Sequence, residues 1–411
     1  MEHQMDQKLL RDLLRFFYLQ RCGCALPETD AGVFAHKACH TDKACVYGTN
    51  EKRDVSGGWH DAGDYGRYTV PAAKAVADLL LAYQTAPSLF AESLQIPESE
   101  NGIPDILNEA RYELLWLFKM QREDGAVFHK VSCANFCGFL QPDEETEPLI
   151  LSPVSTAATG DFVGIMAMAY SAYKPFDQAF ADTCLAAGKR AYGFLQKAEP
   201  APFHNPPKIV TGEYDDENDT DERFYAAAAL FAATGEDSYA QQAKALFGDD
   251  LPLRLGWADM AGYGCLAILK GASPSCALYQ EMRSRLLAEA DRLAALSEND
   301  PYGISLTGEF LWGSNMYLAN NAILLGEAYR LTTNPRYRCA AQRHYAYLLG
   351  ENPLSMCYVT GHCAHSPLHP HHRPSVAANT PMPGMLVGGP DAELQDPCAQ
   401  EHLTGRAPAE C

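Results

Sequence analysis

Apolar residues recur along most of this chain with the three-to-four-residue spacing of an amphipathic helix. Residues 6–19 show it first, with apolar side chains from Leu9 to Phe17 on one face. The same spacing predicts ten more helices, at about 71–83, 104–118, 154–173, 178–197, 220–234, 237–247, 257–270, 275–297, 313–332 and 335–349. Alternation of apolar and polar residues, which is typical of strands, is scarce. The pattern therefore predicts an all-α protein.

Two of the predicted helix pairs are joined in a similar way. At Leu230–Tyr239 and again at Tyr329–Tyr337, a helix ends in a polar turn and a tyrosine opens the next helix. Helical hairpins that repeat around a centre predict an α/α barrel or a solenoid, although eleven helices is an awkward count for pairs. Segments 23–58 and 350–411 show no sustained period. We predict them as long loops, which are usually functional in a compact domain.

The composition limits the classes of partner. The chain has 411 residues and a formal net charge of -20, with 47% hydrophobic and 20% charged residues. Such an acidic surface repels nucleic acid and anionic membranes, so neither is an expected partner. No apolar run approaches the length of a transmembrane helix, and the first residues lack the features of a signal peptide. On this ground alone we expect a cytoplasmic protein, or one whose leader is not part of the chain.

Residues 56–68 carry the strongest candidate chemistry. Asp61 and Asp64 stand three residues apart among four glycines, with aromatic residues on both sides. Hydrolysis of a glycosidic bond needs a carboxylate base to activate water and a separate acid to protonate the leaving oxygen. For an isolated motif, the alternative is an Asp-Gly turn whose aspartates cap the loop. The neighbouring Trp59 and Tyr65 favour the catalytic interpretation.

The first long loop holds a candidate metal site. Its possible ligands are Cys22, Cys24, His36, Cys39, His40, Cys45 and His60. Four of these could form a tetrahedral Cys₂His₂ zinc site, which would be closed and structural. The spacing matches no common zinc finger, and a loop that merely contains Cys and His is the alternative. A loop of this length needs something to order it, which favours zinc.

An acidic run at 214–222 overlaps the start of a predicted helix. Its carboxylates and carbonyls suit calcium, although the glycine of an EF-hand loop is missing. An acidic helix N-terminus, favoured by the helix dipole, is the structural alternative. Asp215, Asp216 and Asp219 also match the magnesium–diphosphate motif of terpenoid synthases. For that enzyme class we find no second metal motif in the sequence.

Two further features suit sugar binding. The segment His369–Arg373 holds three histidines and an arginine, which can hydrogen-bond sugar hydroxyls or bind an anion. Trp312 stands beside a glycine at a predicted helix start, and like Trp257 it is a candidate platform for stacking a sugar ring. A surface loop and core packing are the respective structural alternatives.

Together these stretches resemble glycoside hydrolase family 9, the cellulases with an (α/α)6 barrel. The resemblance covers nearly the whole chain, so it predicts a single catalytic domain over residues 1–411. Residues 56–66 look like the family's catalytic-base motif. The resemblance implies that Asp64 is the general base and that Asp61 helps to hold the water.

The same resemblance implies the substrate and metal sites. Residues 358–373 resemble the family's histidine signature, which implies that His371 and Arg373 contact the substrate. The other predicted substrate-binding residues are Trp59, Tyr65, His129, Trp257 and Trp312. Residues 18–23 and 35–40 are similar to a subgroup with an immunoglobulin-like module and a structural zinc. The implied zinc ligands are Cys22, Cys39, His40 and His60. The implied calcium ligands are Asp221, Glu222, Asp259 and Asp219.

The chain departs from the family in three respects. It lacks the immunoglobulin-like module, and Cys363 stands where the histidine signature usually has glycine. No residue matches the family's proton-donating glutamate, which follows the segment resembled by Ala407–Cys411, and the last helix would lie there too. The resemblance thus implies a secreted, monomeric, inverting enzyme that cuts β-1,4-glucan chains, impaired by the missing acid. A non-catalytic β-glucan-binding protein is the alternative.

Overall fold

The computed structural model describes residues 7–248 and 251–411 and confirms the all-α prediction. Eleven of the helices in these ranges have ten or more residues, and they match the eleven predicted segments to within a few residues. The helices are α1 (Gln7–Leu19), α2 (Glu28–Ala31), α3 (Thr69–Thr85), α4 (Asp105–Met120), α5 (Thr156–Tyr173), α6 (Gln178–Leu195), α7 (Thr220–Thr234), α8 (Asp237–Leu246), α9 (Ala261–Gly271), α10 (Ala277–Asn299), α11 (Ser314–Thr332), α12 (Pro335–Leu348), α13 (Arg373–Ala377) and α14 (Pro397–Leu403).

The long helices alternate between an inner and an outer layer. α3 packs on α5, α5 on α7, and α7 on α9, so that each inner helix contacts the next but one along the chain. α5, α7 and α9 are buried on nearly all sides, whereas α6, α8 and α10 keep an exposed face. From α3 to α10 this is an arrangement of helical hairpins in which one helix of each pair lies inside and the other outside.

Small residues let the inner helices approach closely. A Cβ atom on Gly164 of α5 would lie 2.1 Å from the ring of Tyr225 on α7, and one on Gly264 of α9 would lie 2.7 Å from the ring of Phe224. These contacts are too close for any side chain larger than hydrogen. The Ala- and Gly-rich composition of these helices therefore serves the packing of the core.

Seven short strands lie in the loops at one end of the helices. They are β1 (Ala44–Val46), β2 (Lys52–Arg53), β3 (Arg67–Tyr68), β4 (Val127–Phe128), β5 (Lys130–Ser132), β6 (Ile150–Leu151) and β7 (Val154–Ser155). One sheet has the order β2-β1-β6-β5-β3, with only β1 and β6 parallel, and β4 pairs with β7. Strands of two or three residues are too short to show an alternating pattern, which is why the sequence did not predict them.

The small sheet positions the candidate catalytic loop. β3 follows that loop directly and pairs with β5, with Tyr68 opposite Lys130. β3 then runs into α3, so the loop is fixed between a strand pair and the start of an inner helix. The two long loops are thus not structureless, since the first holds α2 and two strands and the second holds α13 and α14. In the described ranges, no helix is both long and apolar enough to cross a bilayer.

Candidate active site

Asp61 and Asp64 lie on a tight turn in front of α3. The backbone N–H of Asp64 donates to the carbonyl of Asp61 at 3.0 Å, and the N–H of Gly66 donates to Oδ1 of Asp64 at 2.5 Å. Gly63, between them, faces the His371 carbonyl so closely that a Cβ atom would lie 2.0 Å from its oxygen. Glycine is therefore required here, and both carboxylates are only partly exposed.

Two tyrosine hydroxyls orient the carboxylates. Tyr214 donates to Oδ2 of Asp61 at 2.5 Å, and Tyr68 donates to Oδ1 of Asp64 at 3.2 Å. The two tyrosine rings pack against each other, with centroids 4.8 Å apart. Oδ2 of Asp64 receives no hydrogen bond from the described residues, so it is the oxygen available to accept a proton.

The surroundings hold both carboxyl groups ready to exchange protons near neutral pH. Burial raises the pKa of Asp64, while the Gly66 N–H and the charge of Arg373 oppose that rise. Burial and the charge of Asp64 raise the pKa of Asp61. A carboxylate with a raised pKa is a stronger base than an exposed aspartate, which suits it to take a proton from water.

Arg373 joins the histidine segment to this turn. Its backbone N–H and its Nη1 both donate to the carbonyl of Gly63, at 3.1 and 2.8 Å, and its Nε donates to the carbonyl of Cys137 at 3.1 Å. The arginine is buried, whereas His371 is exposed beside it. Arg373 therefore positions the turn that carries the two aspartates, and the ring of His371 stays accessible beside it.

Four buried residues of the first loop converge on one point. Cys22 Sγ lies 3.7 Å from His40 Nδ1, Cys39 Sγ lies 3.6 Å from His60 Nε2, and the two histidine nitrogens are 3.4 Å apart. Bond lengths of about 2.3 Å to sulfur and 2.05 Å to nitrogen place tetrahedral zinc ligands about 3.6 Å (S to N) and about 3.4 Å (N to N) apart. The four residues therefore fit a zinc ion.

The environment of this group also suits zinc. The Nε2 of His40 lies 2.9 Å from a carboxylate oxygen of Glu145, the kind of outer contact that orients metal-bound histidines. Burial disfavours the Cys22 thiolate, but the Cys39 thiol and the charge of Arg67 hold the pKa of Cys22 well below its usual range. A thiolate is the form of cysteine that binds metal.

The acidic residues at the start of α7 do not bring their ligand atoms as close together as the Cys/His group does. Among the described residues, only the Cys/His group brings three or more candidate ligand atoms within 4.8 Å of one another. Asp219 pairs with Arg223 at 2.9 Å, and Asp221 accepts the N–H of Met260 at 2.6 Å. Both oxygens of Glu222 are buried without a hydrogen-bond partner in the described chain.

Comparison with known proteins identifies the family. The profile described as Glycosyl hydrolase family 9 matches residues 7–406. The chain belongs to glycosyl hydrolase family 9. It is therefore a glycoside hydrolase, and its all-α architecture is that of the family.

Several family members resemble the chain over most of its length. A cellodextrinase of Butyrivibrio fibrisolvens is 38% identical over 96% of this chain and 76% of its own length. Endoglucanase D of Acetivibrio thermocellus is 36% identical over 90% of this chain, which spans only 62% of that relative. The solved structure of a thermostable endoglucanase from Alicyclobacillus acidocaldarius, a single mutant, superposes with a TM-score of 0.94 at 45% identity, covering 98% of this chain and 78% of the other.

Three of the residues predicted to bind substrate lie inside the protein. Trp59 is 7% exposed and its indole N–H donates to Glu109 at 2.8 Å. Tyr65 is 3% exposed and donates to the Leu140 carbonyl at 2.5 Å. His129 is fully buried and stacks on Phe203. Their rings are covered by protein, which argues against stacking of a sugar on them, and their contact with substrate stays a prediction.

The two tryptophans predicted as platforms remain accessible. Trp312 is 70% exposed just before α11. Trp257 is half-buried, and its ring contacts the Tyr214 ring edge-on, with centroids 5.1 Å apart. Tyr214 in turn donates to Asp61, so a single side chain separates Trp257 from that carboxylate. Both stay candidates for contact with a sugar chain.

Sequence analysis missed two residues of the site. Tyr214 orients Asp61 from 153 positions away, and Glu145 supports His40 from 105 positions away. Tyr214 stood at the edge of an acidic run, and Glu145 stood in a loop of several acidic residues. Neither had a local signal, because the contact exists only once distant loops meet.

The geometry of the Cys/His group predicts about one zinc ion per chain, measured by elemental analysis of the purified protein. Cys39→Ser should abolish zinc binding and lower the melting temperature by at least about 5 °C, because binding energy of a structural zinc is folding energy. Cys24→Ser is the matched control, since Cys24 lies in the same loop outside the group, and it should keep its zinc. Equal zinc content in both variants would show that this group is not the site.

Proposed function

We propose that the chain hydrolyses β-1,4-glucosidic bonds with inversion, with Asp64 as the general base. The observation that carries this proposal is the free Oδ2 of a partly exposed Asp64, whose other oxygen is fixed by Gly66 and Tyr68. A water between the two aspartates gives its proton to Asp64 and attacks the anomeric carbon. Asp61, held by Tyr214, accepts a hydrogen bond from the same water and orients it.

The substrate class is inferred from the relatives. They are described as a cellodextrinase and as endoglucanases, and the family match extends over residues 7–406. This supports a single catalytic domain that binds β-1,4-glucan chains. We further propose a secreted monomer, since a polymeric substrate is met outside the cell.

The leaving group needs a second carboxyl, and we propose that the 411 residues alone do not provide it. An inverting pair is separated by about 6.5–9.5 Å so that water fits between base and substrate. Glu145 acts on Asp64 electrostatically, but its side chain is buried and engaged by His40. Loss of a general acid costs about 10²–10⁴-fold in rate.

A calcium ion is proposed at the start of α7, held by Asp221, Glu222 and Asp259 with Asp219 nearby. Burial raises the pKa of Glu222, and the charges of Asp221 and of Asp161 on α5 raise it further. A divalent cation would relieve this repulsion and supply a partner for the unpaired oxygens of Glu222.

Calcium should raise the melting temperature of the wild-type chain but not that of Glu222→Gln, and an equal response of both would refute the site.

A chain that has the general base but lacks the general acid should cleave a substrate whose leaving group needs no proton and should cleave cellulose derivatives slowly. The 411-residue chain should cleave 2,4-dinitrophenyl β-cellobioside, because dinitrophenolate leaves without being protonated. It should cleave carboxymethylcellulose about 10²–10⁴-fold more slowly than a version extended to include the family's proton-donating glutamate. Release of dinitrophenolate and of reducing ends measures the two rates.

The proposed role of Asp64 as general base is tested by a substitution at that residue and a control substitution at a nearby one. Asp64→Asn should lower the rate on the dinitrophenyl substrate about 10²–10⁴-fold, whereas Asp215→Asn, at an exposed acidic residue nearby, should not. Because the pKa of Asp64 is raised, its carboxylate is protonated as the pH falls, and the rate should decline at a pH above that of an exposed aspartate. Tight binding of cello-oligosaccharides without any cleavage would instead identify a non-catalytic glucan-binding protein.

A further inference from the structure

Two phenylalanine rings form an exposed patch beside the catalytic turn. Phe136 and Phe139 are 45% and 53% exposed, which is unusual for rings of this size. The Arg373 guanidinium carbon lies 5.2 Å from the Phe136 ring centroid and 5.9 Å from that of Phe139. The Phe139 ring also meets the exposed His371 ring edge-on at 5.6 Å.

The segment that carries these rings is anchored to the site. The carbonyl of Cys137 accepts from Arg373 at 3.1 Å, and the carbonyl of Leu140 accepts from Tyr65 at 2.5 Å. Glu145, at its far end, contacts His40. Each anchor belongs to the catalytic turn, to the arginine that holds it, or to the Cys/His group, so the rings keep a fixed position relative to Asp64.

Contacts connect Trp257 and the phenylalanine rings to the turn through different residues. In one direction, Asp61 contacts Tyr214, which contacts Trp257. In the other, Gly63 accepts from Arg373, which lies over the phenylalanine pair. Aromatic groups are therefore connected to the turn both at Asp61 and at Gly63. We expect a chain of several sugars bound at the carboxylates to contact both.

We propose that Phe136 and Phe139 form a subsite that stacks a glucosyl unit of a β-1,4-glucan on the Arg373 side of Asp64. This inference rests on the proposed function. In β-glucose all hydroxyls are equatorial, so each face of the ring presents C–H groups that pack on an aromatic face. The exposed His371 lies beside the patch, where it can hydrogen-bond the hydroxyls at the edge of the sugar.

Binding of cellopentaose, measured by titration calorimetry in an Asp64→Asn background, tests the subsite. Replacing both rings, Phe136→Ala with Phe139→Ala, should weaken the Kd about tenfold, as expected from the loss of two aromatic contacts. Replacing both with tyrosine keeps the faces and should retain the affinity. Phe176→Ala is the matched control, since Phe176 is 39% exposed but follows the far end of α5.

The outcomes separate the subsite from the proposed function. An unchanged Kd in the double alanine variant would overturn the subsite, even if wild-type protein cleaves the dinitrophenyl substrate. The subsite would also be overturned if the double alanine variant cleaved the dinitrophenyl substrate more slowly but bound cellopentaose with an unchanged Kd. The rings would then act only by positioning Arg373. Failure of wild-type protein both to bind cellopentaose and to cleave would overturn both proposals. If the alanine pair does not fold, the leucine pair, which keeps the apolar bulk, should still lose affinity.

Discussion

Two carboxylates three residues apart must be held side by side in a turn that has no regular secondary structure of its own. Each disfavours the charge of the other, and partial burial disfavours both. The protein offsets this with contacts from outside the turn: a tyrosine hydroxyl on each carboxylate and an arginine on the intervening carbonyl. The position of the two aspartates therefore depends on segments next to α3, α7 and α13.

The residues just before the turn fix its other side. Trp59 is bonded through its backbone N–H to Glu113 and through its indole to Glu109, both on α4. His60 belongs to the Cys/His group, and Asp61 follows it directly. A metal in that group would thus restrain the backbone one residue before Asp61, the carboxylate proposed to hold the water. A structural ion would then influence the proposed chemistry without taking part in it.

Much of the helical scaffold could be predicted from the sequence, because long helices impose a period that many residues share. The bounds of α7, Thr220–Thr234, were predicted to the residue. The strands could not be, since β3 is two residues long and exists only through pairing with β5, more than sixty positions away. The candidate catalytic aspartates stood out as a local motif, whereas the choice of Cys22, Cys39, His40 and His60 among the Cys and His residues of the loop came from the family resemblance. The burial of Trp59, Tyr65 and His129 was not foreseen, because an aromatic beside a motif looks the same in sequence whether it faces the cleft or the core.

The central claim is that Asp64 activates water for direct attack on the anomeric carbon. The stereochemistry of the first product tests this most directly, since a single displacement inverts the anomeric centre whereas a covalent intermediate retains it. Proton NMR of 2,4-dinitrophenyl β-cellobioside during the first turnovers would detect the anomer before it equilibrates. If Asp64 acts as a base, α-cellobiose appears first. The appearance of β-cellobiose first would contradict it and assign a nucleophile, rather than a base, to this turn.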